Sequence, residues 1–137
     1  MSAILLAYVP SATSEAAFTY AVDEAKRRDA SLLVLASERA PDPRKSRGVS
    51  DQRPLEERLA ETGLGFELRT VPKRDDPADD ILDAVEDDDV LMVVIGIRKR
   101  TPIGKILLGS TSQRVAIESP VPVVLVKPES FVAPTRF

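Results

Sequence analysis

The residues of this chain that could do chemistry gather in one stretch. Directly after the apolar run at residues 90–95 the sequence reads Gly96-Ile97-Arg98-Lys99-Arg100-Thr101-Pro102, and it continues through Gly104-Lys105 to Gly109-Ser110-Thr111-Ser112-Gln113. Ser110 and Gln113 stand at capping-box spacing, which predicts a helix N-terminus here, with backbone amides and the positive end of a helix dipole facing outward. Gly109 allows close approach of the backbone to a bound group. The hydroxyls of Ser110, Thr111 and Ser112 add donors, and Arg98, Lys99 and Arg100 supply the mobile charge that a polyphosphate requires. An anion at such a place gains about 0.3–1 kcal/mol from the dipole, and up to about 2 kcal/mol when partly buried. The same residues also read as a plain capped helix behind a solvated basic loop, and spacing alone leaves both readings open.

What is missing narrows the chemistry further. The chain has no cysteine, no histidine and no tryptophan, so disulfides, thiolate–metal sites, His-ligated metals and Ser-His-Asp or Cys-His catalysis are excluded for the chain acting alone. Acid or base work would fall to carboxylates, lysines or tyrosines, and Tyr8 and Tyr20 read as packed side chains. No catalytic residue is assigned, and the only enzymatic activity in view is slow nucleotide hydrolysis. A Walker A loop is absent, because Gly104-Lys105 is preceded by Lys99 at the key spacing and followed by Ile106. The turn after the first strand, Val9-Pro10-Ser11-Ala12-Thr13, has no glycine and cannot be a GxGxxG dinucleotide loop. The stretch 75–89 holds acids and no base, but without the spacing of a calcium loop it reads as a solvated helix face, and no metal site is assigned.

A length of 137 residues, 43% of them hydrophobic, is enough for one buried core. The net charge of −3 argues against a general nucleic-acid binder, whose footprint is a basic face. No apolar run approaches the roughly 20 residues of a membrane span and no basic leader precedes the first apolar run, so no membrane partner is expected and the expected location is the cytoplasm.

The elements that must position these residues follow from periodicity. Residues 3–9, 31–37 and 90–95 are continuous apolar runs, the pattern of strands buried on both faces. Residues 66–71 alternate apolar and polar, as an edge strand with one wet face does. Residues 121–126 (Val-Pro-Val-Val-Leu-Val) form a last strand between Pro120 and Pro128. Helices are predicted at 14–28, 51–62, 76–86 and 110–119, the third opened by Asp76-Pro77 and expected to end before Asp87, where acids would oppose the dipole. Residues 38–50 are Pro- and Arg-rich and aperiodic, a loop; the stretch 39–53 could contact a protein partner, with a mobile linker the favoured reading. Strands alternating with helices predict an α/β fold, an open, doubly wound, five-stranded parallel sheet, since parallel strands require right-handed crossovers that place helices on both faces. Ligands bind such sheets beyond the carboxyl ends of the strands.

The strand at 90–95, the Gly96…Gly109-Ser110 loop, the Gln113-Arg114-Val115 helix, the closing strand and the opening Ile4-Leu5-Leu6-Ala7 strand resemble the universal stress protein family over about residues 3–127. The resemblance implies a Rossmann-like single domain over residues 1–127 with a tail at 128–137, and a homodimer formed through the last strand. In one branch of that family ATP, with or without Mg2+, is held by Gly-x-x-Gly, nine residues, then Gly-Ser/Thr. Matching that motif puts Gly96 first, Lys99 where the second glycine belongs, then Gly109 and Ser110. By the same matching Ser37 and Ile95 would flank the adenine, and Ser110, Thr111 and Ser112 would meet phosphate. ATP-holding members carry Asp at the end of the first strand, where this chain has Val9. Losing a charge-assisted hydrogen bond there costs roughly 1.5–3 kcal/mol. The resemblance therefore implies a stress-associated regulatory module that holds ATP or another adenine nucleotide weakly; the alternative, favoured by Val9 and Lys99, is a nucleotide-free dimeric interaction protein of the same fold.

Overall fold

The computed structural model describes residues 2–8, 12–37, 53–71, 77–97 and 109–128. Strands and helices alternate along them: β1 (Ala3–Tyr8), α1 (Ala12–Arg28), β2 (Ser31–Ser37), α2 (Leu55–Ala60), β3 (Phe66–Val71), α3 (Ala78–Asp87), β4 (Val90–Gly96), α4 (Ser110–Glu118) and β5 (Val123–Val126). The strands form one five-stranded sheet in the order β3-β2-β1-β4-β5, every pairing parallel. β1 is central because it is apolar on both sides. Its Ile4 and Leu6 enter one core with α1, α2 and Leu59, while Leu5 enters the other with Ile81 and Val85 of α3 and Val115 of α4. Helices thus cover both faces, which is the doubly wound α/β arrangement expected. Full burial of side chains such as Ile4, Leu5 and Leu6 stabilises the sheet by about 1.5–3 kcal/mol each.

β3 lies at one edge and β5 at the other. In β3, Phe66 and Leu68 pack against the first core and Val71 against the second, while Glu67 and Thr70 are exposed. The helix expected over 51–62 is shorter. Pro54 is extended (φ −52, ψ 140) and α2 begins only at Leu55, ending where Gly63 takes a positive φ of 77. In the last strand Val121 and Pro122 stay outside the ladder, although the Pro122 carbonyl accepts a bond from the Val93 amide at 2.9 Å.

Helix α3 also departs from expectation. Pro77 is its N-cap rather than a first-turn residue, and the helix includes Asp87 before stopping at Asp88. Its acidic end is compensated from outside the helix. Arg69 of β3 forks onto Asp88, donating from Nη1 to Oδ2 at 3.0 Å and from Nη2 to Oδ1 at 2.9 Å. These bonds hold the Asp88 carboxyl below the usual carboxylate range, against a smaller opposing effect of burial.

A lowered folded-state pKa adds stability that is present above the ordinary aspartate value of about 3.9 and disappears as the pH falls through the folded value. Asp88→Asn should therefore be less stable than wild type in urea melts at neutral pH, and the gap should close below about pH 4. A gap that stays constant down to about pH 2 would contradict this role for Arg69 and Asp88.

Candidate functional site

Sheet order reverses between β1 and β4. From β1 the chain crosses by α1 toward β2, and from β4 it crosses by α4 toward β5, on the opposite face. The two strands are in register up to Ala7 and Ile95. The carboxyl edge between them is the place where open α/β sheets of this connectivity take ligands. Each crossover helix runs antiparallel to its strands, so α1 and α4 both present their amino ends at this edge.

Gly96 closes β4 beside Val126 of β5, and it meets α1 directly. A Cβ built on Gly96 would lie 2.5 Å from the carbonyl oxygen of Thr13 and 2.7 Å from its carbonyl carbon. Because both atoms are backbone, only glycine lets the first turn of α1 sit against the end of β4. Thr13 and Ser14 in that turn are buried.

Gly109, not Ser110, is the N-cap of α4. Its carbonyl accepts the first helical bond, from the Gln113 amide at 2.9 Å, and no side chain caps the helix. The expected Ser110–Gln113 capping box is thus absent, because Ser110 is already helical and its hydroxyl lies past the capping position. The amides of Ser110, Thr111 and Ser112 head the helix with no intrahelical acceptor. Ser110 is exposed, and Thr111 and Ser112 are half-buried. Gly109 itself has φ −69, a value open to any residue.

The other residues proposed from sequence divide into three groups. Ser37 ends β2 beside Val71 of β3, one strand beyond β1. Ile95 packs its side chain into the core between the sheet and the α3–α4 face, leaving only its backbone for a ligand. Val9, Arg98 and Lys99 lie outside the described residues, as do the Pro- and Arg-rich stretch and residues 129–137.

One polar cluster at this edge was not anticipated. Tyr8, the last residue of β1, donates from its hydroxyl to Glu15 Oε2 at 3.0 Å and accepts from Arg58 Nη1 at 3.2 Å. Arg58 also donates from Nη2 to Glu15 Oε1 at 2.9 Å. Its guanidinium carbon lies 4.6 Å from the centre of the Phe18 ring, which meets Tyr8 edge-on at 6.4 Å. Arg58 is only 9% exposed. Burial first, and then the Glu15 carboxylate, push the Tyr8 hydroxyl up to about 12, with Arg58 opposing. Burial works against the charge of Arg58, but Glu15 and Tyr8 outweigh it and the guanidinium is more basic than usual. Glu15 and Arg58 are 43 residues apart, so no spacing rule could pair them. The one local sign was that Arg58 adjoins the Leu55–Leu59 stripe.

Among the described residues no group of three or more His, Cys, Asp or Glu side chains could hold a metal ion, and no helix is long and apolar enough to cross a membrane.

Comparison with known proteins gives a consistent result. A model of the universal stress protein family matches residues 1–127. A universal stress protein of Mycolicibacterium smegmatis is 39% identical over 131 residues, covering 93% of this chain and 99% of that one. Among solved structures, a universal stress protein from Archaeoglobus fulgidus superimposes with a TM-score of 0.71 at 27% identity, covering 93% of this chain and 99% of the other. A structure of the universal stress protein from the same organism in complex with dAMP gives a TM-score of 0.65 at 23% identity, covering 93% and 98%. Two more of the same fold carry AMP, in an Arabidopsis thaliana protein, and cAMP.

The contact between Gly96 and Thr13 makes Gly96→Ala a sharp test of how this edge is packed. The added methyl meets backbone that must shift, so the variant should lose about 1–3 kcal/mol in chemical denaturation. Unchanged stability would show that α1 does not press on β4 at this point.

Proposed function

The chain belongs to the universal stress protein family, and from that premise we propose that it is a stress-associated regulatory module that holds an adenine nucleotide weakly at the crevice between the carboxyl ends of β1 and β4. The observation that carries the reading is the amino end of α4. Its Ser110, Thr111 and Ser112 amides open a nine-residue helix at the edge where sheet order reverses, and such a helix end attracts phosphate. Structural neighbours in complex with dAMP, AMP and cAMP support the choice of ligand. Adenine and a phosphate group are common to all three, and ATP, with or without Mg2+, is the fuller ligand of this class.

In this reading Gly96 and Ile95 offer backbone to the base from β4, with Ser37 and Val9 on the β2 and β1 side. Gly109 and residues 110–112 take the phosphates, and Arg98 and Lys99 screen their charge. The nucleotide acts by occupancy, biasing contacts with a protein partner; with no imidazole or thiol in the chain, any turnover is at most slow hydrolysis that falls to carboxylates, lysines or tyrosines. Val9 stands where the family resemblance implies an Asp in most ATP-holding members, which favours weak binding and keeps a nucleotide-free interaction protein as the second reading.

A homodimer through β5 belongs to the same proposal. The strand is four residues long, sits at the sheet edge, and its side chains are all half-buried. Ile117 of the adjoining α4 is 75% exposed. An open edge flanked by apolar side chains pairs readily with a second copy.

Two measurements test these statements. Calorimetric titration with AMP and with ATP, with and without Mg2+, should show binding to the wild type. Ser110→Pro should keep α4, because proline suits a first helical position and Gly109 is already extended, yet it deletes one amide donor. A hydrogen bond to a charged group is worth about 1.5–3 kcal/mol, so affinity should fall by roughly ten- to a hundredfold in Ser110→Pro and far less in Ser110→Ala. No heat at millimolar nucleotide would overturn the ligand reading. Light scattering at micromolar concentration should give the mass of a dimer, and a monomer mass would remove the β5 interface.

A further inference from the structure

Tyr8 and Glu15 stand on either side of the connection between β1 and α1, and Arg58 of α2 is hydrogen-bonded to both. Tyr8 and Glu15 are also bonded to each other across it. Two residues before Glu15, the carbonyl of Thr13 packs on Gly96 with no room for a side chain. The first turn of α1 is therefore gripped twice, by a glycine contact from β4 and by a buried charged fork from α2. The two contacts involve four elements, and the charged fork brings together groups from β1, α1 and α2 at the carboxyl edge.

We infer that Arg58, with Glu15 and Tyr8, is a positioning set: it holds the first turn of α1 against Gly96 of β4, at the edge where the adenine nucleotide is proposed to bind. This rests on the nucleotide reading above and adds a residue group that does not touch the ligand. Its energetic logic is geometric. The fork of Arg58 satisfies a carboxylate and a phenol at once, with the guanidinium stacked over the Phe18 ring. Met in place of Arg58 keeps much of the volume but leaves Glu15 without that fork, so the turn samples positions that do not fit the ligand. Apparent affinity falls by the fraction of time the competent position is occupied.

The test compares Arg58→Met, Glu15→Gln and the double variant with wild type, and uses Val85→Ala in α3 as a control that loosens the opposite core. All are measured at a temperature where circular dichroism shows them folded. Arg58→Met should weaken AMP binding about tenfold if the turn is correctly placed about a tenth of the time. The double variant should be no worse than Arg58→Met, and Val85→Ala should bind as wild type does. The second readout needs no ligand. Amide hydrogen exchange and chemical shifts at Thr13 and Gly96 should change in Arg58→Met and Glu15→Gln and stay put in Val85→Ala. Wild type that binds no AMP would defeat the nucleotide reading while the amide readout still decides the positioning role. Equal affinity in Arg58→Met and wild type, or undisturbed Thr13 and Gly96 amides, would overturn the inference. Should Arg58→Met fail to fold, Glu15→Gln carries both readouts with the same two outcomes.

Discussion

A strand paired in parallel on both sides and apolar on both faces can send its chain onward only over one face of the sheet. β1 is in this position, hydrogen-bonded to β2 and to β4, with Ile4 and Leu6 facing one core and Leu5 the other. Because parallel crossovers are right-handed, moving from β1 to β2 puts α1 on one face, and moving from β4 to β5 in the opposite sense puts α4 on the other. The switch point between the two strands is thus a consequence of burying β1. Nothing about a ligand is needed to create it, and any apolar central strand with this connectivity would produce one.

In the proposed function, what the corner attracts is set mostly by main chain. Helix α4 opens with amides that have no intrahelical acceptor, and α1 opens beside it across Gly96. Backbone donors and dipole ends favour negative charge whatever side chains surround them. A side-chain departure such as Val9 removes one contribution without removing the field. An acidic composition therefore does not conflict with the proposed anion site: net charge is a property of the whole surface, whereas the helix ends act within about a turn.

Legibility in the sequence followed the range of the interactions. The apolar runs of β1, β2 and β4 and the alternation of β3 are local patterns, and the strands appear where they were expected. Helix ends were less legible, because a residue or two decides them: Pro54 delays α2, Arg69 lets α3 run on to Asp87, and Gly109 displaces Ser110 from the cap. Gly96 was readable as a motif glycine, but its reason, the Thr13 carbonyl against it, depends on a packing contact across 83 positions that no window contains. The cluster of Tyr8, Glu15 and Arg58 was illegible for the same reason. Tyr8 reads as a core residue and Arg58 as a surface one, and only the fold brings them together.

Stability alone is a poor explanation for that cluster. Removing two charges from water costs several kcal/mol per ion, and replacing a buried ion pair with apolar residues of similar size is often neutral or favourable by about 1–4 kcal/mol. Leu, Met and Phe at positions 15, 58 and 8 would extend the apolar surface of α1 and α2 without a desolvation penalty. What apolar side chains cannot do is fix direction, since packing of that kind tolerates sliding, whereas a guanidinium bonded to a carboxylate and a phenol has one arrangement. α2 is six residues long and too short to hold its place by helix propensity. A directional tie from such a short element to the first turn of α1 therefore contributes orientation at the edge where the two crossovers part, as the proposed positioning role requires.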